Sequence, residues 1–334
     1  MRRTSTLGVL ALAASVFLLR EVATAGDVVI ADPYAAYFQQ GNLRFDNVQQ
    51  MLLAYRRSYD AADPALAWVD AESGNAGRAS PLREFPKANA FDIGAVAAGP
   101  QSVLVSGVVQ AGERTLRVPP QHVILTYDLA GTLRRKWVTN PWHVHEMAVD
   151  RAGNVYALGH RIDAHSANLV RKYARDGVLE REFMPTTLFP HGENATRAAR
   201  GHNQFWVEGE RLCAYMADID ELLEFDFEGK LQRRTSFREA LARLASDHSG
   251  VRAELVTLAS GRQAANLLAK VRIWSEGDEK ASLVLAHLSL DGKRPQTVGT
   301  TDGDELGGPQ FPLLGMTGES ILFLNRYTAT ILRR

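Results

Sequence analysis

Cysteine is all but absent: Cys213 is the only one in 334 residues. No disulfide can form within the chain, so its fold must rest on an apolar core. Cys213 lies in the apolar run Leu212–Met216 (LCAYM) and reads as a buried structural thiol, not a nucleophile. An excess of either charge is also missing, with 38 basic residues against 38 acidic ones. That balance gives no electrostatic case for a nucleic-acid partner or an anionic membrane surface. A Gly-rich phosphate loop, a G-x-S-x-G elbow and a Cys-x-x-Cys pair do not occur, which removes the local signatures of nucleotide, serine-hydrolase and thiol-redox chemistry.

The one long apolar run is at the N-terminus. Residues 1–25 join Arg2 and Arg3 to an apolar stretch from Leu7 to Leu19 and a small-residue site, Ala23-Thr24-Ala25, before Gly26. This reads as a secretory signal peptide, since the run is shorter than the ~20 residues a spanning helix needs. The expected location is periplasmic or extracellular, with no membrane span after cleavage. No cysteine stands directly after the cleavage site, which argues against a bacterial-type lipid anchor. Loss of Arg2, Arg3 and Arg20 against Glu21 leaves a slightly acidic mature chain.

A repeated pattern organises the rest. Tyr127-Asp128-Leu129-Ala130-Gly131, Tyr173-Ala174-Arg175-Asp176-Gly177, Phe225-Asp226-Phe227-Glu228-Gly229 and Leu288-Ser289-Leu290-Asp291-Gly292 each place an apolar or aromatic residue four positions before a glycine. Three of them lead into a basic and apolar strand: Thr132 to Trp137, Val178 to Phe183, and Lys230 to Phe237. Each reads as a β-hairpin whose glycine supplies a positive φ. Between these copies lie hairpins richer in small and apolar residues, such as Ala148 to Tyr156, Phe205 to Leu212 and Gly315 to Leu322. Two hairpins per unit make four antiparallel strands, at the ~40–50-residue spacing of propeller blades.

At Leu212 to Phe227 (LCAYMADIDELLEFDF) and Val155 to Tyr173, an apolar strand, a polar break and a strand ending in an aromatic follow one another. This order resembles NHL-type β-propeller repeats, of the six-bladed bacterial secreted kind. The resemblance implies an all-β propeller and no particular activity, because such propellers include enzymes and binding proteins. The expected domains are a signal peptide over 1–25, an N-terminal segment over 26–80 and the propeller over 81–334. Five blades are countable, at 91–137, 145–183, 202–237, 254–298 and from 311 onward, and a sixth from residues 27–75 is possible through Trp68-Val69-Asp70. Pro81-Leu82-Arg83-Glu84-Phe85 is expected to close the ring against the C-terminus, which removes the open edges.

Two segments suggest helices. Phe45, Val48, Leu52, Tyr55 and Tyr59 share a helical face, giving an amphipathic helix over 43–58 that docks on its own domain or serves a partner. Ser236-Phe237-Arg238-Glu239 has capping-box spacing ahead of a short helix, Arg238 to Ala245. Asn194-Ala195-Thr196 matches a glycosylation sequon and is assigned no role.

In a four-stranded blade, the connection into the first strand and the one between strands two and three emerge on the same face. That rule puts His143, His145, His191, His202 and His248 in connections into blades, and His122, His160 and His165 in second-to-third connections. Only His287 of the nine histidines falls inside a predicted strand. The histidines therefore gather on one expected face. Aligning first strands on their turns makes Asp92, His145, His202 and Glu254 equivalent around the axis, a set that would suit a divalent metal such as zinc or calcium. Glu146 and Asn203 would orient those ligands or hold a water, and His143 and Trp142 would join them against a ligand. The alternative is a polar lining of a water-filled channel. Asp150, Asp176, Asp218 and Asp226 are expected to cap turns.

The leading expectation is an exported propeller that binds a small molecule or protein through its histidine-rich face. The alternative is a metal-dependent lyase or hydrolase with the metal at the channel mouth and His160 or His165 as general base. A second alternative is an envelope scaffold that uses the 43–58 helix.

Overall fold

The computed structural model describes residues 26–111, 120–190, 198–199, 203–260, 266–276, 281–301, 312–317 and 320–334. The expected signal peptide, His191, the sequon at Asn194 and His202 lie outside these residues.

Six four-stranded antiparallel sheets follow one another along the chain and form a six-bladed propeller. A short strand β1 (Val28–Val29) comes first and helix α1 (Ala35–Gln40) next. Blade 1 is β2 (Asn42–Asp46), β3 (Met51–Tyr55), β4 (Leu66–Asp70) and β5 (Ala76–Ala79). Blade 2 is β6 (Ala88–Gly99), β7 (Ser102–Ala111), β8 (Gln121–Asp128) and β9 (Leu133–Val138). Blade 3 is β10 (Trp142–Val149), β11 (Val155–Arg161), β12 (Asn168–Tyr173) and β13 (Leu179–Pro185), and blade 4 is β14 (Gln204–Glu208), β15 (Arg211–Met216), β16 (Glu221–Asp226) and β17 (Leu231–Ser236). Helix α2 (Arg238–Asp247) leads to blade 5, which is β18 (Arg252–Ser260), β19 (Asn266–Trp274), β20 (Ser282–Ser289) and β21 (Pro295–Thr301). Blade 6 is β22 (Leu313–Thr317), β23 (Ser320–Asn325) and β24 (Thr330–Arg333), completed by β1.

The ring closes through an N-terminal strand, but a different one from that expected. Val28 pairs with Ile331 and Val29 with Thr330, while Ile30 N–H donates to the Ala329 carbonyl at 2.9 Å. Pro81–Glu84 is instead a 3-10 turn with Pro81 and Leu82 buried. Proline has no N–H to give a ladder and its fixed φ suits the first position of a helical turn.

The helix over 43–58 is also corrected: those residues are the first hairpin of blade 1. Asp46 makes the turn, accepting the N–H groups of Val48 and Gln49 at 2.9 Å each, as an Asx turn does. Met51, Leu52, Leu53 and Ala54 are all buried, because β3 lies inside the blade with both faces covered. Such a strand shows no alternation, and its continuous apolar run mimicked a helical stripe. The scaffold alternative loses its helix, and residues 42–79 are a blade of the ring, so no boundary falls at residue 80.

The repeated Asp and Gly residues earn their places in the outer hairpins between strands three and four. Asp128 accepts the Thr132 N–H at 2.8 Å, and Asp226 accepts those of Glu228 and Lys230 at 3.0 and 2.9 Å. Gly131 and Gly229 have φ of +85° and +78°. Both also press on the outer strand of the preceding blade: a Cβ on Gly131 would lie 2.3 Å from the Arg78 carbonyl oxygen, and one on Gly229 would lie 2.5 Å from Phe183. The recurring glycine thus serves turn geometry and blade packing together.

Between the blades lie apolar layers. One joins blades 3 and 4 through Tyr156, Phe183, Phe205, Leu223 and Phe225, and another joins blades 1 and 2 through Leu53, Trp68, Phe91, Val105 and Tyr127. Cys213 is buried among such residues, and burial holds its thiol well above its ordinary pKa. Helix α2 forms as expected, yet the fully buried Phe237 is its N-cap and the capping box is not made. Ser236 Oγ approaches the Arg238 N–H only at 3.5 Å, and Glu239 pairs with Arg243 at 2.6 Å.

Candidate functional site at the channel mouth

The first strand of each blade is the innermost, so β2, β6, β10, β14, β18 and β22 surround the axis. A cavity of about 400 Å³ lies there. Its polar wall includes Arg44, Asp46, Tyr55, Glu146, Gln204 and Arg326, and its apolar wall includes Trp206, Leu258, Pro312 and Leu314.

Arg44 on β2 crosses the channel. Its guanidinium pairs with Glu146 on β10 and donates to the carbonyls of Met147 at 2.7 Å and Phe205 at 2.6 Å. One side chain of blade 1 thereby ties together the inner strands of blades 3 and 4. Burial lowers the Arg44 pKa, while the charge of Asp46 opposes that shift. Burial raises the Asp46 pKa, opposed by the N–H groups it accepts and by Arg44. Burial likewise raises the Tyr55 pKa.

Beside this channel on blades 2 and 3, four histidines form a cluster. His143 faces His160 across the β10–β11 ladder. Its Nδ1 lies 3.1 Å from Nδ1 of His122, the second residue of β8 in the neighbouring blade. His145 Nε2 lies 2.9 Å from His160 Nδ1, with the two rings stacked 5.0 Å apart at 10°. The His143 and His145 rings are 4.6 Å apart. The loop between blades sets this arrangement: Thr139 N–H donates to the His122 carbonyl at 2.9 Å, and Asn140 Oδ1 accepts the His122 N–H at 2.6 Å. His122 is buried, which lowers its pKa.

The register explains where His145 goes. The β10–β11 ladder skips from Val144 to Glu146, so His145 is the extra residue of a β-bulge. A bulge re-aims a side chain without ending the strand. Here His145 turns onto His160 of its own blade, and Glu146 takes the place in the channel wall. Matching bulges omit Gly94 in β6, Val256 in β18 and Leu314 in β22. Those residues are the true equivalents of His145, and the alignment with Asp92 and Glu254 is displaced by two positions.

The other expected residues are placed as follows. Asp92 pairs with Arg57 and accepts from Gln110, while Glu254 faces Arg272 at 3.6 Å. Among the described residues, no group of three or more His, Cys, Asp and Glu side chains is arranged to hold a metal ion. Asn203 lines the cavity, yet its amide braces the loop before β14. It donates to the Ala198 and Ala199 carbonyls at 2.7 and 3.1 Å and accepts the Ala217 N–H at 3.0 Å. Trp142 is fully buried, with the Arg171 guanidinium 4.3 Å from its ring centre. His165 is exposed in the β11–β12 connection. Arg44, Arg326 and Gln204 were not foreseen. A lone arginine inside the apolar alternation Leu43-Arg44-Phe45 was the available signal, hidden by taking that segment for a helix.

No family model matches the chain, and no curated protein matches it. Solved structures do show distant similarity. A virginiamycin B lyase from Staphylococcus aureus is 9% identical, with 92% of this chain and 97% of that one covered at a TM-score of 0.42. A nidogen/laminin complex gives 11% identity over 82% and 85% at a TM-score of 0.43. A member of the duf4221 family from Bacteroides vulgatus gives 8% identity over 92% and 94% at a TM-score of 0.49. The resemblance of this six-bladed propeller to such proteins is one of fold level, and its site has to be understood from its own residues.

Proposed function

We propose that this chain is an exported binding module whose ligand, a small molecule, seats in the channel cavity. One observation carries the reading: the cavity of about 400 Å³ on the axis, lined by both charged and apolar groups. That volume falls within the ~300–1,000 Å³ typical of small-molecule sites, and mixed walls of this kind orient a ligand. Arg44 spans the site and braces two other blades, which keeps the walls preorganised. The proposal of export rests on residues 1–25, and among the described residues no helix is long and apolar enough to cross a membrane.

The test is a thermal-shift screen of small molecules on the wild-type protein and on Leu314→Trp, which fills the cavity from β22. Compounds that bind here stabilise the wild type and lose that effect in the folded variant. Stabilisation that survives in Leu314→Trp places the binding elsewhere.

A second reading, metal-dependent chemistry, rests on the four neighbouring imidazoles and requires their rings to turn, since their nitrogens face one another and no three of them are arranged to hold an ion. Under it, His143, His145, His160 and His122 would supply nitrogen ligands, a set suited to zinc over calcium. Metal analysis of purified protein tests it: bound zinc that disappears in His145→Ala, His160→Ala supports the reading, and zinc-free protein after equilibration with zinc rejects it.

A further inference from the structure

The cavity wall contains a cation that has no carboxylate partner among the described residues. Arg326 follows β23 in the connection to β24, on the same face as the histidines. Its Nη1 and Nη2 donate to the carbonyls of Gln39 at 3.3 Å and Gly41 at 3.5 Å, and its Nε is buried without a partner. Among the described residues no carboxylate forms an ion pair with it, and burial alone lowers its pKa. The contrast with Arg44 is direct. That arginine lines the same cavity with a carboxylate and two carbonyls at 2.6–2.7 Å around it. Arg326 is partly buried, so its guanidinium has lost part of its hydration without gaining a carboxylate, and an anion in the cavity would complete it.

A second unmatched donor lines the cavity from another blade. Gln204 Oε1 accepts the Leu258 N–H at 2.8 Å, which fixes the amide orientation, and its Nε2 is buried without a partner. The two carboxylates of the wall are already engaged, Glu146 by Arg44 and Asp46 by the turn N–H groups. Unmatched hydrogen-bond capacity on the cavity lining is therefore donor capacity, on Arg326, Gln204 and the indole Nε1 of Trp206.

Deepening the binding reading above, on which it rests, we propose that Arg326 anchors the ligand through a carboxylate or phosphate group, with Gln204 donating from blade 4. A guanidinium fork matches both anions bidentately. Trp206, Leu258, Pro312 and Leu314 supply the apolar wall, so the ligand is a small organic anion with an apolar body.

The experiment is calorimetric titration of the full chain with benzoate, phenyl phosphate and the neutral benzyl alcohol. At least one anion binds one per chain, and its affinity falls as NaCl rises. Comparing benzoate with phenyl phosphate separates carboxylate from phosphate recognition. Arg326→Gln weakens the anion at least tenfold, Arg326→Lys gives an intermediate loss, and Gln204→Leu weakens it severalfold. Arg326→Lys keeps the charge at that position, so it serves if the Gln variant does not fold. The inference is overturned if neither anion binds at about 10 mM, a Kd equivalent to only about 3 kcal/mol, or if binding is undiminished in the Arg326 variants. If benzyl alcohol binds as well as the anions, is lost in Leu314→Trp and ignores Arg326, the anion inference fails while the cavity reading stands.

Discussion

At the scale of single residues, Arg44 and His122 show how a side chain's neighbours decide its energetic role. Arg44 has one carboxylate and two carbonyls across the channel, so truncation strands Glu146 and two acceptors at once. Arg44→Met is expected to cost about 2–4 kcal/mol, in the range for breaking a largely buried, hydrogen-bonded charge pair. Chemical denaturation reads this directly, and a loss below about 1 kcal/mol would mean that the crossbar is dispensable. His122 carries a different prediction. Its folded-state pKa is depressed by burial, so the folded protein prefers the neutral ring. Above the unfolded value of about 6.5 both states are neutral and nothing is lost. As the pH falls below that value the unfolded chain binds the proton first, and stability declines until the folded pKa is passed. Melting temperatures between pH 7.5 and 5 should therefore drop further for the wild type than for His122→Gln. Equal drops would remove His122 from the pH response.

At the scale of elements, what was legible is what repeats. The Asp and Gly spacing of the outer hairpins marked blades 2 to 5, because each copy must meet the same turn and the same neighbouring strand. Blade 1 was hidden for a physical reason: Met51–Ala54 is covered on both faces and carries no period, and its outer turn, Asp70 to Gly74, spaces its Asp and Gly one residue further apart than Asp128 and Gly131 do. Ring closure was legible in kind but assigned to Pro81–Phe85, since a two-residue strand such as Val28–Val29 leaves almost no pattern. The histidine set shows the limit of alignment by turns. Turn lengths differ between blades, and the bulge at His145 shifts one side chain without altering the apolar pattern. The repeat account makes its own prediction. Gly229→Ala must accommodate a positive φ and a Cβ 2.5 Å from Phe183, and should destabilise the protein by about 2–4 kcal/mol from strain and overpacking together. Gly209 has φ +61° with nothing near its Cβ position, so Gly209→Ala is the control and should cost about 1 kcal/mol. Equal losses at the two sites would show that blade contact contributes nothing at Gly229.

At the scale of the whole molecule, the proposed site lies where no local motif reaches. Arg44, Glu146, Gln204 and Arg326 come from blades 1, 3, 4 and 6 and meet only because the ring closes. Sequence spacing could place the blades, but which residue of each first strand faces the axis depends on bulges that spacing does not display. The same closure links the fold to the proposed site, because β1 holds blade 6, and blade 6 presents Arg326 and Leu314 to the cavity. The most direct test is a crystal structure of the protein with the compound that stabilises it most. Ligand density is predicted in the axial cavity, between the Arg44 crossbar and Arg326. Density in the outer groove beside Arg233, Arg238 and Lys293, with the axial cavity empty, would contradict the account.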